Sequence, residues 1–259
     1  MIKIFSNETE WDIFKNVLQS EGLYAKSKKE RKLLDEITKA IWTDNTSTRP
    51  DFISDDFMIE MFEIDDIVTS KKGKNNPQRK ADARALRDVE SWMSNFPKGT
   101  FHEDLMIIAH GDTRYNPETD TFTPDNSVSH HNYGAYLNNF TRICNKHLVS
   151  VEAYRKNYPN KKLGFLIVDD STMYLSKLRV QGRDIFLSLP FFDKNFMKSF
   201  IKSDVDFVVW AFNNKYMYTE ENSKAPAPLL PNVALINKYN YYNKYSKKFD
   251  IKSMISLEE

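Results

Sequence analysis

Helical and strand periods alternate along the chain. Ile2 to Phe5 reads as a short strand, and Trp11, Phe14 and Leu18 then recur at helical spacing up to Gly22. Ser27 followed by Glu30 has the spacing of a capping box. It opens a helix to about Trp42, with Glu30, Leu34, Ile37 and Ile41 on one face. Two short apolar runs within Asp51 to Glu63 flank Asp55-Asp56 and predict a strand, a tight turn and a second strand. Side chains alternate along the second run. Met58, Glu60, Phe62 and Ile64 share one face, and Phe57, Ile59, Met61 and Glu63 the other.

A basic loop from Thr69 leads to a helix from about Pro77 to Asn95, with Ala81, Ala85, Leu86, Val89, Trp92 and Met93 inward. Leu105 to Ala109 is a short apolar run, a strand or a helix turn, and His110 to Asn132 is a long polar loop. Tyr133 to about Tyr158 reads as one helix, with Tyr136, Phe140, Cys144, His147 and Val151 on its buried side. Leu163 to Val168 is a buried strand ending in Asp169-Asp170. A mixed stretch follows to Pro190. A helix over 193–202, a strand over 206–212 and an edge strand at 233–236 complete the pattern. Between the last two strands, Ala225 to Pro228 is a stiff linker. Strands alternating with helices predict an α/β domain with a central mixed sheet flanked by helices.

Composition narrows the function. The chain has 259 residues and a formal net charge of +1, so it is not a nonspecific polycation. No apolar run approaches the length of a membrane span, and the N-terminus has no signal-peptide core. Cys144 is the only cysteine, which excludes an internal disulfide or a Cys-rich zinc site and fits a cytoplasmic location. Basic residues cluster locally at Lys26 to Lys32, at Lys71, Lys72 and Lys74, and at Arg79, Lys80, Arg84 and Arg87. No Gly-rich phosphate loop and no nucleophile elbow is present.

Glu60 carries the candidate chemistry. It lies between apolar neighbours on its own face, where an acid is costly unless paired, and a metal ion is one such partner. Asp51 on the preceding strand and Glu30 on the helix can converge with it. Glu30 has a competing explanation in its own capping box. Oxygen ligands of this kind suit Mg²⁺ or Mn²⁺. His110, His130 and His131 lack the spacing of a helical metal motif. His147 reads as a satisfied core histidine, and Cys144 as packing.

Pro50-Asp51 followed, after a gap of eight residues, by Glu60-Met61-Phe62 resembles the PD-(D/E)XK nuclease superfamily. The resemblance covers about half the chain. It implies a restriction-endonuclease-like core made of the Glu30 helix, the Asp51, Glu60 and Phe165 strands, the Phe196 helix and the Val208 strand. The helices between about 77 and 158 would then be an insertion within a single domain over 1–259. It also implies a metal-dependent phosphodiesterase acting on DNA, as an endo- or exonuclease, with Asp51, Glu60 and Glu30 on Mg²⁺ or Mn²⁺. The family's lysine position is Phe62 here. Lys71, Lys72, Lys74, Arg79 and Lys80 are the candidates to replace it, with Lys72 and Lys80 put forward as catalytic. Lys28, Lys29, Lys71, Lys74, Arg79 and Arg84 would contact nucleic acid. The alternative is an inactive nuclease-fold protein that binds nucleic acid or a protein partner. A homodimer stays open.

Overall fold

The computed structural model describes residues 9–20, 23–45, 47–67, 77–100, 113–124, 132–171, 174–180, 183–187, 190–212, 233–237 and 248–256. The elements in chain order are α1 (Glu10–Leu18), β1 (Leu23–Ala25), α2 (Lys28–Lys39), β2 (Thr43–Asp44), β3 (Phe52–Ile53) and β4 (Phe57–Ile64). Next come α3 (Pro77–Met93), the pair β5 (Thr113–Asn116) and β6 (Thr121–Pro124), α4 (Tyr133–Leu148), α5 (Val151–Asn157) and β7 (Lys162–Asp169). The chain continues with β8 (Tyr174–Val180), β9 (Arg183–Leu187), α6 (Lys194–Ile201), β10 (Phe207–Phe212), β11 (Val233–Asn237) and β12 (Ile255–Ser256). This is the expected α/β class with a mixed central sheet.

Seven strands form that sheet, in the order β1-β11-β10-β7-β4-β3-β2. β4, β7 and β10 run parallel, while β2, β3 and β4 form an antiparallel meander and β11 runs antiparallel to β10. β4, β7 and β10 read as near-continuous apolar runs because both faces of the sheet are covered. On one face, Met58, Phe62, Phe165, Val208 and Trp210 pack with Tyr136, Phe140 and Cys144 of α4 and with Phe196 and Phe200 of α6. On the other, Phe57, Ile59, Leu166, Phe207 and Val209 pack with Phe14 of α1 and with Leu34 and Ile37 of α2. Strand parity therefore divides the core into two layers. The connection from β4 to β7 includes α3, the β5–β6 pair, α4 and α5, and α4 is itself part of the core.

Several local expectations change. The α2 helix stops at Lys39, before the anticipated Trp42, and Ile41 stands 87% exposed instead of inward. The predicted long helix over 133–158 breaks at Val149–Ser150 into α4 and α5. Thr113 to Pro124, inside the predicted polar loop, forms an antiparallel pair. The mixed stretch before Pro190 contains a second pair, β8 with β9. β11 is not the sheet edge, because the unpredicted β1 pairs with it in parallel from Leu23 to Ala25. These strands are short or polar, and the partner of β1 is remote in sequence, so periodicity does not announce them. The predicted strand at 2–5 and the run at 105–109 lie outside the described residues.

Near the start of β7 the sheet leaves no room for a side chain. Gly164 pairs with Phe207 of β10, whose buried ring occupies the space that a Cβ at Gly164 would need. Gly164→Ala is expected to destabilise the protein by about 1–3 kcal/mol through overpacking. Chemical denaturation of the variant against the wild type measures this.

Candidate functional site

The antiparallel β3–β4 pair brings the two acids of the opening motif together. Phe52 is opposite Ile59 and Ile53 opposite Met58. Continuing that register by one residue sets Asp51 across from Glu60, on the face covered by α4 and α5. Both acids are buried, Glu60 at 0% exposure. Asp51 also serves the sheet: β3 is only two residues long, and beyond it Asp51 Oδ2 accepts the Met61 N–H at 2.7 Å. Burial, and behind it the nearby Glu60 charge, outweighs that hydrogen bond and pushes the Asp51 carboxyl up to about 6.

Glu60 is held by two cationic or donor groups on the same oxygen. Arg49 Nη1 donates to Oε1, and His147 Nδ1, from the last turn of α4, meets the same atom at 2.8 Å. Facing a carboxylate oxygen, Nδ1 carries the proton. The Phe62 ring stacks on the imidazole, with centroids 4.6 Å apart and planes 17° from parallel. Tyr154 of α5 closes the group. Burial first, and the Glu60 charge second, push its hydroxyl up to about 12. Glu60 in turn holds the Arg49 guanidinium above its ordinary value. Arg49 occupies the left-handed region at φ 58, and its side chain is 54% exposed. Glu60 Oε2 is buried and has no hydrogen-bond partner.

Glu30 does not join this group. It completes the capping box of α2, with Oε2 accepting the Ser27 N–H at 2.8 Å. α2 packs on the opposite face of the sheet from Glu60. Glu30 instead borders a small crevice with Tyr24, Phe191 and Phe192, and its Oε1 is buried without a hydrogen-bond partner. Among the described residues, no three His, Cys, Asp or Glu side chains come close enough to hold one metal ion. Lys28 and Lys29 lie exposed in the first turn of α2. Lys29 borders a groove of about 480 Å³ that also has Lys32 and Lys162 in its wall, offset by Glu36 and Asp206. Arg79 falls in the first turn of α3, Lys80 is exposed and Arg84 is half-buried. Lys71, Lys72 and Lys74 lie outside the described residues, as do His110, His130 and His131.

Comparison with known protein families, with curated proteins and with solved structures finds no match to the chain. The site has to be read from its own geometry.

That geometry includes three residues that sequence reasoning did not assign to it. Arg49 sits directly before the Pro50-Asp51 pair, and the signal for it was the need of a buried Glu60 for a positive partner. His147 was legible as an inward residue of α4, but nothing in the spacing pointed it at Glu60. Tyr154 belongs to a helix that sequence periodicity merged with α4. Cys144 is a packing residue: burial pushes its thiol up to about 12, far from the thiolate needed of a nucleophile.

A second set of buried acids follows the carboxyl ends of β4 and β7. Asp169 accepts from the Tyr136 hydroxyl, from Trp210 Nε1 at 2.8 Å and from Ser171 Oγ at 2.6 Å. Asp66 accepts from the Tyr174 hydroxyl at 2.7 Å, and Asp193 from Tyr133 at 2.7 Å. Asn139 donates to Asp65 at 2.8 Å. These pairings tie α4, β8 and α6 to the strand ends and satisfy the acids internally.

The raised Asp51 carboxyl has a consequence for stability. A group lifted from 3.8 to about 6 in the folded protein disfavours folding once ionised. That penalty is absent below about pH 4, grows through the interval up to about pH 6 and is complete above it. Asp51→Asn, which keeps an acceptor for Met61, is therefore expected to melt above the wild type at pH 7. The two melting curves should converge as the pH falls towards 4.

Proposed function

We propose that the chain is a metal-dependent phosphodiesterase acting on DNA, with its site at Asp51 and Glu60. One observation carries the reading. Two buried carboxylates on adjacent strands meet beside a guanidinium that is itself half in solvent. The element order around them, with α2 before the β2–β3–β4 meander and β7 parallel to β4, supports a nuclease-like core. No step needs a nucleophilic side chain, because hydrolysis of a phosphodiester can use water.

The donor set fits Mg²⁺ or Mn²⁺ in the sparse manner these ions favour. Such ions are commonly held by one or two carboxylates, with waters and substrate phosphates filling the remaining positions. Asp51 and Glu60 are two such carboxylates, and the buried Glu60 Oε2 has no hydrogen-bond partner. When bound, the ion would neutralise phosphate charge and acidify a water molecule. Among the described residues, Arg49 is the cation best placed to turn from Glu60 to a phosphate, since its side chain is exposed while Glu60 is not. It takes the part that the nuclease resemblance leaves to a cation within residues 71–80. Contacts to phosphates from Lys28, Lys29, Arg79, Lys80 and Arg84 belong to the same proposal, as does a cytoplasmic setting.

One observation favours a second reading. Arg49 and His147 already bind Glu60, so the fold could serve binding to nucleic acid or protein without catalysis.

Calorimetry with Mn²⁺ on the wild type and Asp51→Ala separates the two. Binding by the wild type and its loss in Asp51→Ala are expected, whereas a silent wild type leaves only the second reading. Plasmid and single-stranded DNA incubated with Mg²⁺ or Mn²⁺ should be cut. Cleavage undiminished in Glu60→Ala would place any activity elsewhere.

A further inference from the structure

We infer that His147 is the positioning residue of this site. It fixes the Glu60 carboxylate so that Oε2 stays presented to a divalent cation when Arg49 leaves for a phosphate. The inference rests on the proposed metal-dependent function. Its basis is the difference between the two groups that grip Oε1. Arg49 has a 54% exposed side chain on a loop, where an arriving anion can reach the guanidinium. His147 has a side chain only 10% exposed and sits on a core helix beside Cys144 and Phe140.

Phe62 explains why the imidazole can do this. It lies two residues beyond Glu60 on the same strand face, and its ring lies flat against that of His147. Phe62 also meets Phe165 edge-on at 5.4 Å, so the supporting ring is itself locked in the core. The imidazole plane is set by this stack, and the plane sets the direction of the Nδ1–H bond. That direction ends on Glu60 Oε1 at 2.8 Å. A carboxylate whose one oxygen is held by a fixed donor cannot rotate freely, and its other oxygen keeps its aim. Groups that hydrogen-bond to metal-binding carboxylates act on affinity in this way, commonly by about 10–100-fold. The aromatic residue at position 62 is thus the support of the site's orienting donor.

The test pairs two substitutions with a measurement on the wild type. His147→Leu removes the donor and retains bulk, while His147→Asn keeps an N–H close to the position of Nδ1. Mn²⁺ titration calorimetry is expected to show affinity lost by about 10–100-fold in His147→Leu and largely restored in His147→Asn. A general packing role would not produce that rescue. Independently of any variant, ¹⁵N–¹H correlation spectra of the metal-free wild type should show Nδ1 of His147 protonated. Undiminished Mn²⁺ binding by His147→Leu would overturn the inference and leave the proposed function standing. So would an unprotonated Nδ1, and this readout remains if the leucine variant does not fold. Absence of Mn²⁺ binding by the wild type would overturn the proposed function and the inference together.

Discussion

A carboxylate at 0% exposure in a central strand cannot stand alone. Removing one of its partners would leave a buried charge uncompensated, at a cost of several kcal/mol. Much of the architecture around Glu60 can be understood from that constraint. The loop before β3 turns back so that Arg49 reaches it, α4 ends so that His147 reaches it, and α5 begins close enough for Tyr154 to lie beside it. The same requirement makes the pair of acids unusual. Asp51 faces a second carboxylate across the strand pair, and burial first, with that neighbouring charge behind it, raises its proton affinity.

The sheet supplies the frame. Parallel pairing of β4 with β7 needs a crossover, and that crossover carries α4, whose apolar side completes one core layer. The layer division explains why Glu60 and Glu30 never meet. Each is inward on its own element, yet they face the sheet from opposite sides. Beyond the strand ends, Asp66, Asp169 and Asp193 are bound by tyrosine hydroxyls and an indole. The two groups of acids thus differ in kind. One is satisfied within the core, and the other keeps an oxygen without a partner.

Much of this was legible from residue order. The Asp51–Glu60 strand pair, the buried strands at 162–169 and 207–212 and the helices over 28–39 and 194–201 follow from period and punctuation. So did the inward placing of Glu60, His147 and Cys144. β1, the β5–β6 and β8–β9 pairs and the break at Val149–Ser150 were not legible. A three-residue strand has too few positions to display a period, and a one-turn break does not interrupt an apolar stripe.

Local pattern by itself therefore determined which residues of this protein turn inward, because periodicity is a property of one element at a time. It placed an acid among apolar neighbours and so required a partner for it. Tertiary structure alone decided who that partner is. Arg49 and His147 are separated by nearly a hundred positions, and only the crossover between parallel strands brings the end of α4 over Glu60. Tertiary structure also set Glu30 on the far face, since which side of a sheet a helix covers depends on chain connections and not on the helix's own stripe.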